Sequence, residues 1–218
     1  MTIAVLGATG MVGRRVISEA GAREHRVLAL SRRAVDDVGH GSGPRVTPVA
    51  VDASDSDAVR EALGSVEGTV DAVVVTVRTD PVDQGFLVGM TRSALDAAAR
   101  LGARVLVVGG AGALRSPGDP DLLVADNPAY VPAGLKPIAA AGIAQLRTCE
   151  AHAEADWVYL SPPALLEPGE RTGRYRRGTD TLLTGADGRS WISAENLAVA
   201  VVDELEAPGV ERHITVAH

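Results

Sequence analysis

Short apolar runs separated by amphipathic stretches recur along almost the whole chain. The first run is Ile3-Ala4-Val5-Leu6, and Arg26–Leu30, Arg45–Val51, Val70–Val75, Arg104–Val108, Trp157–Leu160 and Arg212–Val216 repeat it. Runs this short without polar alternation read as strands buried on both faces, the pattern of a parallel sheet between two helical layers. Val70–Val75 is nearly all β-branched, which predicts a central strand. Between the runs, apolar residues return at helical spacing in Arg14–Ala20, Asp55–Leu63, Val82–Leu101, Lys136 to about Ala155, and from Ile192 onward. Gly102 is placed as a residue closing its helix, Pro137 as a first helical residue, and Ser193 as an N-cap with Asn196 third in the helix. Strand and helix in alternation predict the α/β class, a doubly wound parallel sheet in one domain spanning residues 1–218.

Three stretches interrupt the alternation. Val35–Pro44 is polar and glycine-rich, a loop without periodicity. Residues 112–135 hold Pro117, Pro120, Pro128 and Pro132, and a loop of that length predicts a lid over a site. Residues 168–192 predict a small substrate-side region from C-terminal insertions. In it, Thr181-Leu182-Leu183 and Ser190-Trp191-Ile192 would form a hairpin around Asp187-Gly188, and Pro168–Gly173 with Tyr175, Arg176 and Arg177 would wall the substrate.

The chemistry starts at the first strand. Gly7, Gly10 and Gly13 follow it at three-residue spacing, and a helix begins among them. Gly7 permits the tight turn, Gly10 a close approach to a pyrophosphate, and Gly13 close packing of helix on strand. Thr9, Met11 and Val12 belong to the same cradle, where free N–H groups meet the positive end of the helix dipole. Strand, glycine turn and helix together predict a dinucleotide site on a Rossmann-type sheet. Ser31-Arg32-Arg33 ends the second strand, where an acid would hold the ribose of NAD. Two arginines stand there instead, as a 2′-phosphate requires, so NADP(H) is expected over NAD(H). Thr76-Val77-Arg78 ends the fourth strand, and Arg78 faces a phosphate, an acidic substrate group or plain solvent. Right-handed crossovers gather Gly10, Arg32, Thr76, Gly110 and Pro162 around one cleft.

The Gly7-x-x-Gly10-x-x-Gly13 spacing within Gly-Ala-Thr-Gly resembles the atypical and extended short-chain dehydrogenase/reductases. It resembles especially their small NAD(P)H-binding group, which includes NmrA-like proteins and biliverdin reductase B. That resemblance implies that Asp52-Ala53 lies beside the adenine, although Asp52 or Ser54 could equally cap the next helix. It implies that Pro162, Pro163 and Ala164 pass beside the nicotinamide. It also permits a homodimer through the helix Val82–Leu101. Two departures stand out. The family's serine or threonine at the end of the fifth strand is replaced by Gly109-Gly110, which predicts close backbone approach to nicotinamide or substrate; the nearest hydroxyl downstream is Ser116. The Tyr-x-x-x-Lys pair is missing, since Tyr130 precedes Lys136 at the wrong spacing to share a helix face. Lys136 reaching in from the lid, and Tyr130 as a proton donor, are the remaining catalytic candidates.

Composition narrows the partners. The chain has 218 residues, 46% hydrophobic and only 3% aromatic, which suits an aliphatic α/β core. A net charge of −7 with no basic stretch argues against nucleic acid, and no apolar run is long enough to span a bilayer. The single Cys149 and a first strand in place of a basic leader lead to the expectation of a cytoplasmic protein. His152 has no metal-ligand pattern around it, so no metal is expected. Three functional expectations follow. The first is an NADPH-dependent oxidoreductase acting on a small flat acceptor by direct hydride transfer. The second is an NADP(H)-binding regulator or redox sensor. The third is a non-redox isomerase, dehydratase or epimerase on the same fold.

Overall fold

A computed structural model describes residues 1–34, 45–64 and 69–218, so the loop expected at Val35–Pro44 lies outside the described residues. In chain order the elements are β1 (Thr2–Leu6), α1 (Met11–Ala22), β2 (Arg26–Ser31), β3 (Val46–Ala50), α2 (Ser56–Gly64) and β4 (Ala72–Val75). Next come α3 (Gln84–Leu101), β5 (Arg104–Val108), β6 (Arg115–Ser116), β7 (Asp119–Leu123), α4 (Lys136–Glu150) and β8 (Trp157–Ser161). The chain closes with β9 (Leu165–Glu167), β10 (Arg176–Gly178), β11 (Trp191–Ser193), α5 (Ala194–Glu206) and β12 (His213–Ala217).

Eight strands form one sheet in the order β10-β12-β8-β5-β4-β1-β2-β3. Every neighbouring pair is parallel except β10 against β12. Alternate side chains along each strand divide into two cores. Ala4, Leu6, Val73, Val75, Val105 and Val107 pack with α2, α3 and α4 on one face. Ile3, Val5, Val74, Leu106, Val158 and Ile214 pack with α1 and α5 on the other. The strands read as continuous apolar runs because both faces are buried.

Helix ends follow local chemistry. Asp83 caps α3 by accepting from the Phe86 amide at 2.9 Å, and Ser193 caps α5 by accepting from the Asn196 amide at 3.1 Å. Such a cap contributes about 1 kcal/mol. Gly102 closes α3 in the left-handed conformation, with φ 67°. The start of α2 belongs to Asp55, which accepts from the amides of Asp57 and Ala58 at 3.0 Å each. Neither Asp52 nor Ser54 is that cap. Helix α4 ends at Glu150, short of the expected Ala155.

The expected hairpin within 168–192 does not form. The Asp187-Gly188 turn is present, closed by Gly185 N donating to Arg189 O at 2.7 Å, but its flanks go to different partners. Strand β11 pairs in parallel with β9, β10 joins the edge of the main sheet, and Thr181 bridges to Arg115. Burial explains this. Leu182 lies in a small core with Leu114, Val124 and Val131, whereas Ile192 lies in the α1–α5 core. One hairpin cannot deliver its two strands to both places.

Residues 170–172 and 174–176 line an open cavity with His218. Residues 168–175 are strapped across α1 and α5. Gly169 N donates to Glu195 at 2.7 Å, Thr172 and Gly173 N to Asn196 Oδ1, and the Tyr175 hydroxyl to Asp203 at 2.6 Å. Arg171 reaches Glu19 at 2.6 Å. The Glu19 side chain is only 4% exposed, and a carboxylate so buried needs cations, here Arg171 and Arg23. The 112–135 stretch is a folded flap: β6 and β7 pair antiparallel, short 3₁₀ turns flank them, and Leu114, Val124, Ala125 and Val131 fill its own core with Leu182 and Ala139.

Candidate cofactor site

Because the strands run parallel, the segments after β1, β2, β3, β4, β5 and β8 emerge at one edge of the sheet, on both sides of the β1/β4 switch point. The turn after β1 is the tightest. Gly7 has φ 89°, and its amide donates to Leu30 O at 3.1 Å, fastening the turn to β2. A Cβ on Gly13 would overlap the Gly7 carbonyl, so α1 lies against the turn only because residue 13 is glycine. The Thr76 hydroxyl donates to Leu6 O at 2.9 Å, holding the end of β4 against the end of β1. Thr76 therefore builds the cradle with its side chain.

The cradle fits an anionic pyrophosphate. Gly10 stands at the N-cap of α1 with no side-chain cap, so the first-turn amides of Met11, Val12 and Gly13 have no partner within the helix. Thr9 and Met11 are exposed beside them, Val12 is half-buried, and no acidic residue occupies the first turn. The Arg14 guanidinium donates to Thr9 O at 2.9 Å.

At the end of β2 the Ser31 hydroxyl donates to Arg33 O at 2.6 Å, while Arg32 and Arg33 are exposed and form no ion pair among the described residues. Beyond β3, Asp52 is exposed, and Ala53 behind it is half-buried against the core. Asp52 accepts from the amide and hydroxyl of Ser54 at 2.9 and 2.7 Å, and those bonds hold its carboxyl below the usual range. Val77 is half-buried, and Arg78 is exposed without an ion pair among the described residues.

The segment after β5 departs most from expectation. A Cβ on Gly109 would overlap the hydroxyl of Tyr159, a fully buried side chain of β8. Gly109 is therefore a glycine because of Tyr159, whose phenol takes the space a side chain would need. The Tyr159 hydroxyl donates to Gly142 O on α4 at 2.7 Å, and burial pushes its pKa well above the usual phenol value. It is locked as a neutral group. Gly110 carries no such constraint: a Cβ there would meet nothing within 4 Å. Pro162 and Pro163 are buried, and Ala164 N donates to Ser190 Oγ at 3.3 Å. Ser116, the nearest hydroxyl beyond β5, is buried in the flap and accepts from Asn127 Nδ2 at 3.2 Å.

The two catalytic candidates stand apart. Tyr130 packs against the flap core. Lys136 opens α4 and is exposed; at 100° per residue it points roughly 120° away from Gly142, the residue that faces β5. Sequence reasoning overlooked Tyr159. Its only signal was an aromatic hydroxyl placed two residues before Ser161-Pro162 in a buried strand.

A profile of the NAD(P)H-binding family matches residues 7–208. Uncharacterised protein YwnB of Bacillus subtilis 168 is 32% identical over 213 residues, 95% of this chain and 93% of its own. Among solved structures, a candidate exported protein of Burkholderia pseudomallei aligns at TM-score 0.86 and 34% identity over 100% of both chains. A candidate epimerase of Bacteroides thetaiotaomicron aligns at TM-score 0.85 and 31% identity over 100% of this chain and 96% of that one. A candidate NADH-flavin reductase of Streptococcus pneumoniae TIGR4 aligns at TM-score 0.80 and 26% identity over 100% and 99%.

Proposed function

The chain belongs to the NAD(P)H-binding family, and from that premise we propose that it is a reductase that uses NADPH to reduce a small flat acceptor such as a quinone, a flavin or a conjugated carbonyl. When bound, the reduced nicotinamide supplies a hydride to the acceptor, which takes one proton from water while the cofactor leaves oxidised. The chain's own part is to bind and orient. The amides of Met11, Val12 and Gly13 and the α1 dipole hold the pyrophosphate. Arg32 and Arg33 hold the 2′-phosphate, Asp52 lies toward the adenine, and the Pro162-Pro163-Ala164 turn lies beside the carboxamide.

The observation that carries this reading is the state of Tyr159. It is the hydroxyl next to Gly109 and Gly110, yet it is buried, neutral and already donating to Gly142 O. An acceptor that takes its proton from water suits such a site, and quinones and flavins do so more readily than simple ketones. The likeness to a candidate NADH-flavin reductase supports the same class.

The test is the loss of reduced-nicotinamide absorbance when purified protein meets NADPH and a panel of quinones, flavins and conjugated carbonyls. Oxidation above the uncatalysed rate, absent in a Gly10→Val variant, is the expected result. Firm NADPH binding with no oxidation across the panel would favour a sensor without turnover. A non-redox reading has one finding behind it, the likeness to a candidate epimerase, and it predicts turnover without net NADPH consumption.

A further inference from the structure

The face of α4 that meets β5 continues past the edge of the sheet, and what it carries there is apolar. The missing Cβ of Gly142 would stand 3.5 Å from the Gly110 amide and from the Tyr159 hydroxyl, so this face looks onto the end of β5. Ala139, one turn earlier, is buried against Gly112. At 100° per residue, Ile138 points within roughly 40° of Gly142, and at 1.5 Å per residue it stands about 6 Å further toward the helix N-terminus, where Leu135 is the N-cap residue. Helix α4 runs back from the carboxyl ends of the strands, so that direction leads out over the cleft.

A helix normally buries its apolar stripe. Here the first turn does not: Leu135 is 48% and Ile138 38% exposed. Seven large apolar side chains are exposed among the described residues, and four of them, Met11, Leu135, Ile138 and Leu165, open at this edge. Lys136 and Pro137 lie on other sides of the same turn. At the spacing where a Tyr-x-x-x-Lys pair would project a hydroxyl and an ammonium into the cleft, this chain therefore presents Ile138 and Gly142.

We propose that Leu135 and Ile138 form the roof of the acceptor pocket and select an uncharged aromatic plane, pressed between them and the Gly110 backbone. This rests on the reductase reading and narrows its acceptor to planar apolar rings such as simple naphthoquinones. Recognition is by apolar contact on the face of the ring, the means by which small-molecule pockets derive most of their affinity. Gly110 remains open for the ring because no Cβ projects from it.

The test compares wild type with Leu135→Ala/Ile138→Ala, with Ile138→Leu as the conservative variant and Leu101→Ala, an exposed apolar residue at the opposite edge, as the control. Two measurements are made: steady-state oxidation of NADPH by 1,4-naphthoquinone, and calorimetric titration of the same quinone into protein loaded with oxidised cofactor. The double variant should raise the KM and the Kd for the quinone by about tenfold. NADPH affinity should stay within about twofold, since the cradle is untouched. Ile138→Leu and Leu101→Ala should match wild type. If wild type turns over the quinone and the double variant has the same KM and Kd, the roof is overturned while the reductase reading stands. If wild type oxidises nothing, the titration still decides: no quinone binding, or equal binding in the variant, overturns the roof. Gel filtration covers the remaining occupant, because a dimer lost in the variant with quinone binding unchanged would assign the pair to a subunit contact instead.

Discussion

Tyr159 donates its hydroxyl to the carbonyl of Gly142 across 2.7 Å, and this one bond joins β8 to α4 directly behind the end of β5. Three glycines are arranged around it. Gly109 has no side chain because the phenol occupies that space, Gly142 brings α4 within van der Waals reach of the ring, and Gly110 hydrogen-bonds the phenol through its backbone. The backbone that follows β5 is therefore set by a fully buried side chain.

Tyr159→Phe takes from the Gly110 amide its partner and from the Gly142 carbonyl the second donor it has beside the helix ladder. Unpaired buried polar groups cost about 1–3 kcal/mol, so chemical denaturation should show a loss of that size. Activity measured well below the melting temperature should fall as well, because the backbone at Gly110 loses its anchor. Unchanged kinetics beside a lowered stability would leave Tyr159 a packing residue alone.

Gly10→Val should abolish binding of NADPH and NADH together. A Cβ at residue 10 would already sit 3.2 Å from Gly7 O, and larger branches would project into the cradle facing the Met11 and Val12 amides. Fluorescence titration of reduced nicotinamide checks this, with circular dichroism to verify that the protein stays folded. Retained binding would move the pyrophosphate elsewhere.

Replacing Arg32 and Arg33 by alanine should weaken NADPH binding at least tenfold while NADH binding changes little. Both guanidinium groups are exposed and without ion pairs among the described residues, and Arg32 attracts the Asp52 carboxylate. Charge-assisted bonds to a phosphate contribute about 1.5–3 kcal/mol, which corresponds to that factor or more. Equal losses for both cofactors would remove the 2′-phosphate assignment.

The Glu19–Arg171 pair predicts how the strap over α1 responds to acid. Its hydrogen bonds to Arg171, then those to Arg23, hold the Glu19 carboxyl below its ordinary value of 4.5. A group depressed in this way adds stability above its unfolded pKa and loses it as the pH falls through the folded one. Stability should therefore drop below about pH 4.5, and Arg171→Ala should flatten that part of the profile while lowering stability at neutral pH. Urea unfolding at a series of pH values measures both. A profile for Arg171→Ala parallel to that of wild type would show that the pair does not couple to folding.

Much of the fold was written locally. A strand buried on both faces must be apolar throughout, so Ile3–Leu6 and Ala72–Val75 declared themselves without any knowledge of their neighbours, although the expected start at Val70 was two residues early. The glycine turn was equally legible, because Gly7 takes a positive φ and a Cβ on Gly13 would strike the Gly7 carbonyl, although Thr76 from the end of β4 crowds both glycines as well. Asp83, Gly102 and Ser193 likewise obey rules that reach only three or four residues.

The rest depended on which distant segments share space. Nothing within Thr181–Ile192 reveals that Leu182 is claimed by the flap core and Ile192 by the α1–α5 core, and that division is what broke the expected hairpin. Gly109 invited a ligand in the sequence, yet its empty side belongs to Tyr159, fifty residues away along the chain. Lys136 and Ile138 are nearly adjacent in sequence, and only the docking of Gly142 on Gly110 decides which of them overhangs the cleft. Local sequence determined the strands, the caps and the glycine turn, since each is signalled by residue types within a few positions. Tertiary packing decided the substrate side, because volume exclusion between residues far apart in the chain selects the side chains that line it.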